Sequence, residues 1–196
     1  MQKESWLSGA REWSESVGMM EYRSIGVLFP YSITPTLRWL PIFMRHSSLI
    51  PLSQDHHHGL ALALRCRKQA LGQIKPMGAE GLRERAKEFL AFYAINLVPH
   101  FQAEEEILFP LVRSVVPASA EMIDELVRNH AEIRQAVPQL EANAGLAKLI
   151  FDLGDLLERH IRKEERELFL LFEQHVERAK AESAGAEIKR ILQPET

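Results

Sequence analysis

With 196 residues the chain can bury one sizeable core, and its 46% hydrophobic and 26% charged content fits a soluble globular protein. A formal charge of −3 gives no electrostatic reason to expect a nucleic acid or an anionic membrane as partner. The single cysteine, Cys66, excludes an intramolecular disulfide framework, no apolar run approaches the ~18 residues of a membrane span, and the acidic start does not read as a secretory signal, so a cytoplasmic location is expected.

Residues 1–50 carry Trp6, Trp13 and Trp39 among the breakers Gly18, Pro30, Pro35 and Pro41, with little sustained periodicity. They read as an N-terminal extension, or as an arm that covers the rest or meets a protein partner. From residue 51 the pattern is helical. Ser53 is placed to cap a first helix that runs to about Leu71, with Leu60, Leu64 and Leu71 on one side, and that stops in the Gly- and Pro-containing stretch 72–78. A second helix is predicted over about 80–113, kinked by Pro99 just before His100. A third spans about 119–141, with Leu126, Ile133 and Val137 at helical spacing, and ends near a joint at Asn143 and Gly145. The fourth runs from about 146 to 181, with Leu153, Leu157, Leu168 and Leu171 on its apolar stripe, and residues 183–196 read as a C-terminal tail. Four amphipathic helices on short links and no strand pattern predict an all-α fold, an antiparallel up-down four-helix bundle over 51–182.

Several polar residues fall inside the apolar stripes. The second helix reads Tyr93, Leu97, His100, Glu104, Leu108; the third Leu126, His130, Ile133; the fourth Leu157, His160, Glu164, Leu168. Residues three and four apart share a helix face, so these groups point into the core. A buried carboxylate is costly unless paired or coordinated, and here two of them lie one turn from buried histidines. Helices two and four run the same way in an up-down bundle, which sets Glu104 and Glu164 at one level, able to bridge two metal ions, with imidazoles binding from the sides. The first helix adds the run His56-His57-His58 near the same height. Mixed nitrogen and oxygen ligation suits iron, manganese or zinc better than calcium or magnesium. Glu105 and Glu165 rotate off the stripe, where they can accept the second N–H of a ligand imidazole. His46, ahead of the first helix, is not read as a ligand, His175 is read as structural or exposed, and Cys66 as filling space.

The passages Leu-Ser-Gln-Asp-His-His-His-Gly-Leu (52–60), His-Phe-Gln-Ala-Glu-Glu-Glu-Ile-Leu-Phe-Pro (100–110), Arg-Asn-His-Ala-Glu-Ile (128–133) and His-Ile-Arg-Lys-Glu-Glu-Arg-Glu-Leu-Phe (160–169) resemble, in this order, the bacterial HHE cation-binding domains of the hemerythrin-like superfamily. The resemblance covers about residues 46–180. It implies a four-helix bundle holding two iron ions, oxo- or carboxylate-bridged, with ligands His57, His100, Glu104, His130, His160 and Glu164. Alignment on Leu60 selects His57 as the first-helix ligand and alignment on Asp55 selects His56; His57 is favoured because Leu60 and Leu64 share its face. Two departures bear on function. Arg134 stands where the oxygen carriers have a second histidine on helix three, and Glu164 follows His160 by four residues rather than five, with Glu165 at the longer spacing. The pattern looks closer to the iron-sulfur-centre repair proteins, whose additional cysteine-bearing N-terminal domain is not seen here.

These readings predict a non-heme di-iron protein that binds or reacts with a small ligand such as dioxygen, nitric oxide or peroxide. Two other readings stay open: a peroxidase-like enzyme or an iron-delivery and repair factor for iron-sulfur centres, and a sensory or structural bundle that a metal only stabilises. Whether the chain is an enzyme is left open by the sequence.

Overall fold

The computed structural model describes residues 45–142 and 145–193. Most of the segment expected to form the N-terminal extension, and Asn143 of the expected joint, lie outside the described residues.

A 3-10 turn, Ser47–Leu49, leads into α1 (Ile50–Ala70), which carries Pro51 in its first turn, where a missing N–H costs no intrahelical bond. Ser53, expected to cap this helix, lies inside it, and its hydroxyl donates to Glu165 Oε1 at 2.8 Å. The helix also turns a different face inward from the one expected. Its buried side is Leu52, His56, Gly59, Leu62, Ala63, Cys66 and Gln69, whereas Leu64 and Leu71 are exposed. Small residues line this face because α1 lies tight against a later helix. A Cβ on Gly154 of that helix would stand 2.8 Å from the Ala63 carbonyl oxygen and 2.9 Å from Cys66 Cβ.

The second helix, α2, occupies 78–115 as a continuous rod built from Gly78–Phe92, a π turn over Tyr93–Leu97, Val98–Ala103, a second π turn over Glu104–Leu108, and Phe109–Val115. Where a kink is expected at Pro99 the helix carries the first π turn, in which the Val98 N–H bonds to the Tyr93 carbonyl. A wider turn just before a proline moves away the carbonyl its ring would strike. Pro110 follows the second π turn in the same way. A 3-10 turn, Pro117–Ser119, starts α3 (Ala120–Glu141), which carries Pro138 in its last turn. Next comes α4, over 146–175, made of Leu146–Lys163, a π turn over Glu164–Leu168, and Phe169–His175.

The fourth helix stops earlier than its periodicity predicts, at an extended Val176, and the expected tail is instead a fifth helix, α5 (Arg178–Leu192). Ala181, Ala184 and Ile188 of α5 are buried. It packs across the middle of α2 and the start of α1, where Ser48 Oγ donates to the Ala181 carbonyl at 2.6 Å and Gly185 leaves no room for a Cβ above Ser48. The described residues hold no strand, and the four long helices form an up-down bundle.

The bundle core has two apolar clusters. One contains Leu62, Phe89, Leu97, Phe101, Ile133, Leu157 and Ile161; the other contains Leu52, Leu108, Leu126, Leu168, Phe169 and Phe172. Each such side chain taken out of water contributes about 1.5–3 kcal/mol. On all four helices the polar stripe residues fall where the chain passes from one cluster to the other, so the bundle closes an apolar plug on either side of a polar layer.

Candidate metal centre

That layer consists of His56 from α1, His100 and Glu104 from α2, His130 from α3, and His160 and Glu164 from α4, all buried. Their ligating atoms form two groups, each within 4.8 Å: His56, His100, Glu104 and Glu164, and then Glu104, His130, His160 and Glu164. Both carboxylates belong to both groups. Glu104 Oε1 lies 3.1 Å from His100 Nε2, while its Oε2 lies 3.3 Å from His130 Nε2. Glu164 Oε2 is 3.2 Å from both His56 Nε2 and His160 Nε2. The sequence-based placement of the two glutamates at one level between two ions agrees with this geometry.

Five of the six residues expected to bind metal meet here. The sixth, His57, does not: it is exposed, its ring edge-on to His58, and His56 takes the inward position. The error follows from the stripe. Leu60 and Leu64 marked a face of α1 that is only partly covered, while the buried face is written in Gly59, Ala63 and Cys66. A better signal lay in an internal repeat. Leu52 and His56 match Leu126 and His130 at an offset of 74, just as His100, Glu104, Glu105, Leu108 and Phe109 match His160, Glu164, Glu165, Leu168 and Phe169 at an offset of 60.

The two π turns at Glu104–Leu108 and Glu164–Leu168 follow that repeat. Proline cannot be their common cause, because Leu170 stands where Pro110 does. What they share is a glutamate at the centre as first residue. The extra residue in each turn lets the glutamate and the large side chains four and five positions later all face the core.

Around this layer a second set of contacts fixes the imidazoles. His56 Nδ1 donates to Glu165 Oε1 at 2.8 Å, His130 Nδ1 to Glu105 Oε1 at 2.6 Å, and His100 Nδ1 to Asp55 Oδ2 at 3.1 Å. The Nε2 atoms face inward, and those of His56 and His100 approach to 3.1 Å, as do those of His130 and His160. Phe169 stacks on His56 at 5.3 Å, and Phe101 on His130 at 3.7 Å, holding the ring planes and keeping water out. Arg45 pairs with Glu165 and lies 4.8 Å above the Phe169 ring; Arg134 pairs with Glu105 at 2.8 Å and lies 5.4 Å above Phe101. Glu105 and Glu165 thus occupy the supporting role their spacing suggested, whereas Asp55 and both arginines had not been singled out for it.

The electrostatics are those of a centre in which protons stand in for cations. Burial would lower the His100 pKa, but Glu104 and Asp55 outweigh it and push it up to about 9. His130 is likewise raised against its burial, by Glu104 and Glu105. Burial would raise Glu104, yet His100 and His130 hold it well below the usual carboxylate range. For Glu164, burial and then the neighbouring Glu104 push the carboxyl well above that range. His160 is held well below its ordinary value by burial and by His130. A carboxylate pair this close keeps a proton unless a cation replaces it.

The donor set fits metal ions. All four oxygens of Glu104 and Glu164 are buried without a hydrogen-bond partner, an expense proteins rarely accept unless another ligand satisfies them. Metal–ligand bonds of about 2.0–2.2 Å set adjacent donors roughly 3 Å apart, close to the 3.1–3.3 Å seen between ring nitrogens and carboxylate oxygens.

Comparison with known proteins agrees with this geometry. A family model described as the hemerythrin HHE cation binding domain matches residues 50–184, more than half of the chain. The chain belongs to this family. No curated protein and no solved structure was found to match. The HHE domain takes in all four bundle helices and ends inside α5, so Arg45, which braces Glu165, lies upstream of the matched region. Within the domain, two His/Glu clusters are positioned to coordinate a binuclear metal site.

Proposed function

We propose that the two pockets hold iron ions and that the centre binds or reacts with a small ligand such as dioxygen, nitric oxide or peroxide. The observation that carries this reading is the sharing of Glu104 and Glu164 by two imidazole pairs, with all four carboxylate oxygens buried and otherwise unsatisfied. Two nitrogens and two oxygens per pocket suit iron, with manganese or zinc as the other metals such a set accepts. Each pocket supplies four donors where iron takes up to six, which leaves room for an exogenous ligand. Arg134 adds no donor, because its guanidinium is directed to Glu105 and the Phe101 ring.

When bound, an iron pair supplies reversible electron transfer and Lewis-acid positions for the small ligand. The chain's own residues do the rest. Glu104 and Glu164 hold the two ions together and offset their charge. Asp55, Glu105 and Glu165 keep the Nδ1 protons of His100, His130 and His56 in place, so that each Nε2 stays a donor. The apolar clusters on either side and the stacked Phe101 and Phe169 limit access to small molecules.

The test is iron content and spectroscopy. Aerobically purified protein should carry about two irons per chain, as the paired clusters require, and show a near-ultraviolet absorption band that changes on adding nitric oxide or peroxide. Metal-free protein that fails to acquire iron under anaerobic reconstitution would overturn the reading.

A further inference from the structure

The internal repeat relates the two pockets, and the Nδ1 contacts of their four imidazoles obey it with one exception. Under the repeat, α1 corresponds to α3 and the centre of α2 to that of α4. His56 donating to Glu165 therefore matches His130 donating to Glu105, at 2.8 and 2.6 Å. Arg45 over Phe169 and on Glu165 has a counterpart in Arg134 over Phe101 and on Glu105, although the repeat relates neither the two arginines nor these two phenylalanines, so neither bracing carboxylate keeps an unopposed charge. The exception concerns the remaining imidazole of each pocket. His100 Nδ1 donates to Asp55, the residue before His56. The matching residue before His130 is Asn129, a neutral amide, buried at 8% exposure. His160 Nδ1, which should find its acceptor there, is buried and has no hydrogen-bond partner.

We infer that the two metal pockets are unequal, the His56–His100 pocket binding its ion more tightly than the His130–His160 pocket, because Asn129 stands where the repeat places a carboxylate. This rests on the two-metal reading above. An imidazole whose far N–H is held by a carboxylate is a stronger donor than one held by an amide or by nothing, and losing such a partner typically costs 10–100-fold in metal affinity. The carboxylate also adds a negative charge near the ion, which an amide does not. The His130–His160 pocket is therefore the last to fill and the first to empty, and its ion is the one a chelator reaches.

The experiment is a titration of metal-free full-length protein with cobalt(II), followed by its visible d–d bands and by calorimetry. Two cations sharing two carboxylates repel each other, so two steps are expected even from equal pockets; the variants decide. Asn129→Asp should tighten the second step by 10–100-fold and leave the first in place, narrowing the gap. Asp55→Asn should weaken the first step by a similar factor, also narrowing the gap, which keeps the inference testable if the aspartate variant folds poorly. Were the pockets equal, Asn129→Asp would tighten the first step and Asp55→Asn would weaken the second, both widening the gap, and either result overturns the inference. Protein that binds no cobalt at all would overturn the two-metal reading as well, a failure easily told from the first.

Discussion

The metal-free protein should lose stability as pH rises from about 6.5 to about 9. The perturbation is pH alone, and the responding group is His100, whose pKa goes from 6.5 in the unfolded chain to about 9 in the fold. A group raised on folding stabilises the native state fully below its unfolded pKa, and that contribution is lost as pH climbs through the folded value. A shift of this size, at 1.36 kcal/mol per unit, corresponds to about 3 kcal/mol. His130 and Glu164, both raised, act in the same direction. Glu104 is depressed, so its contribution is already complete at pH 6.5, and the penalty for keeping His160 neutral has mostly faded by then and opposes the trend only slightly at the start of the window. Cys66, which burial pushes up to about 12, adds to the loss only near and above pH 9. Urea unfolding in the presence of a chelator, at half-unit pH steps, measures the effect directly. Asp55→Asn should reduce the loss, because Asp55 is one of the groups that raise His100. Metal-saturated protein should not share it, since bound metal ions have already displaced these protons. A metal-free stability that is flat or rises between pH 6.5 and 9 would refute the charge assignment of the centre.

Four substitutions test the metal centre and the packing around it. His56→Ala should reduce bound metal from two ions toward one per chain while His57→Ala leaves it at two, by elemental analysis; the opposite pattern would restore the face of α1 first expected. Gly154→Ala should destabilise by about 1–3 kcal/mol in urea unfolding, because the new methyl meets the Ala63 carbonyl; on an open helix face the same change would stabilise by about 1 kcal/mol. Ile188→Ala, in the segment that reads as a tail, should cost about 2–5 kcal/mol because Ile188 is fully buried, and a loss below about 0.5 kcal/mol would mean that α5 does not dock.

How much the sequence disclosed depended on which residues a helix buries. On the central parts of α2, α3 and α4 the inward face is written in leucine, isoleucine and phenylalanine at helical spacing, so His100, Glu104, His130, His160 and Glu164 stood out as polar interruptions of an apolar stripe. On α1 the close approach to α4 requires Gly59, Ala63 and Cys66, whereas Leu60 and Leu64 lie on a less buried side, so the leucine pattern points to His57 instead of His56. The fifth helix was missed for the same reason, since two of its three buried residues are alanines. Pro99 marks a disturbance of α2, but single-residue rules give a kink there and do not show that a π turn can accommodate the proline within a continuous helix. Asp55, Arg45 and Arg134 act on the centre through contacts between residues far apart in the chain, and no local pattern marks such contacts.

In the proposed centre Glu104 and Glu164 together hold two metal ions between the imidazole pairs His56–His100 and His130–His160. Anomalous diffraction at the iron edge, on crystals of iron-loaded protein, tests it most directly. Two peaks about 3.5–4 Å apart are expected, one beside each imidazole pair and both within reach of Glu104 and Glu164. A single peak, or peaks placed at His57 or elsewhere on the surface, would contradict it.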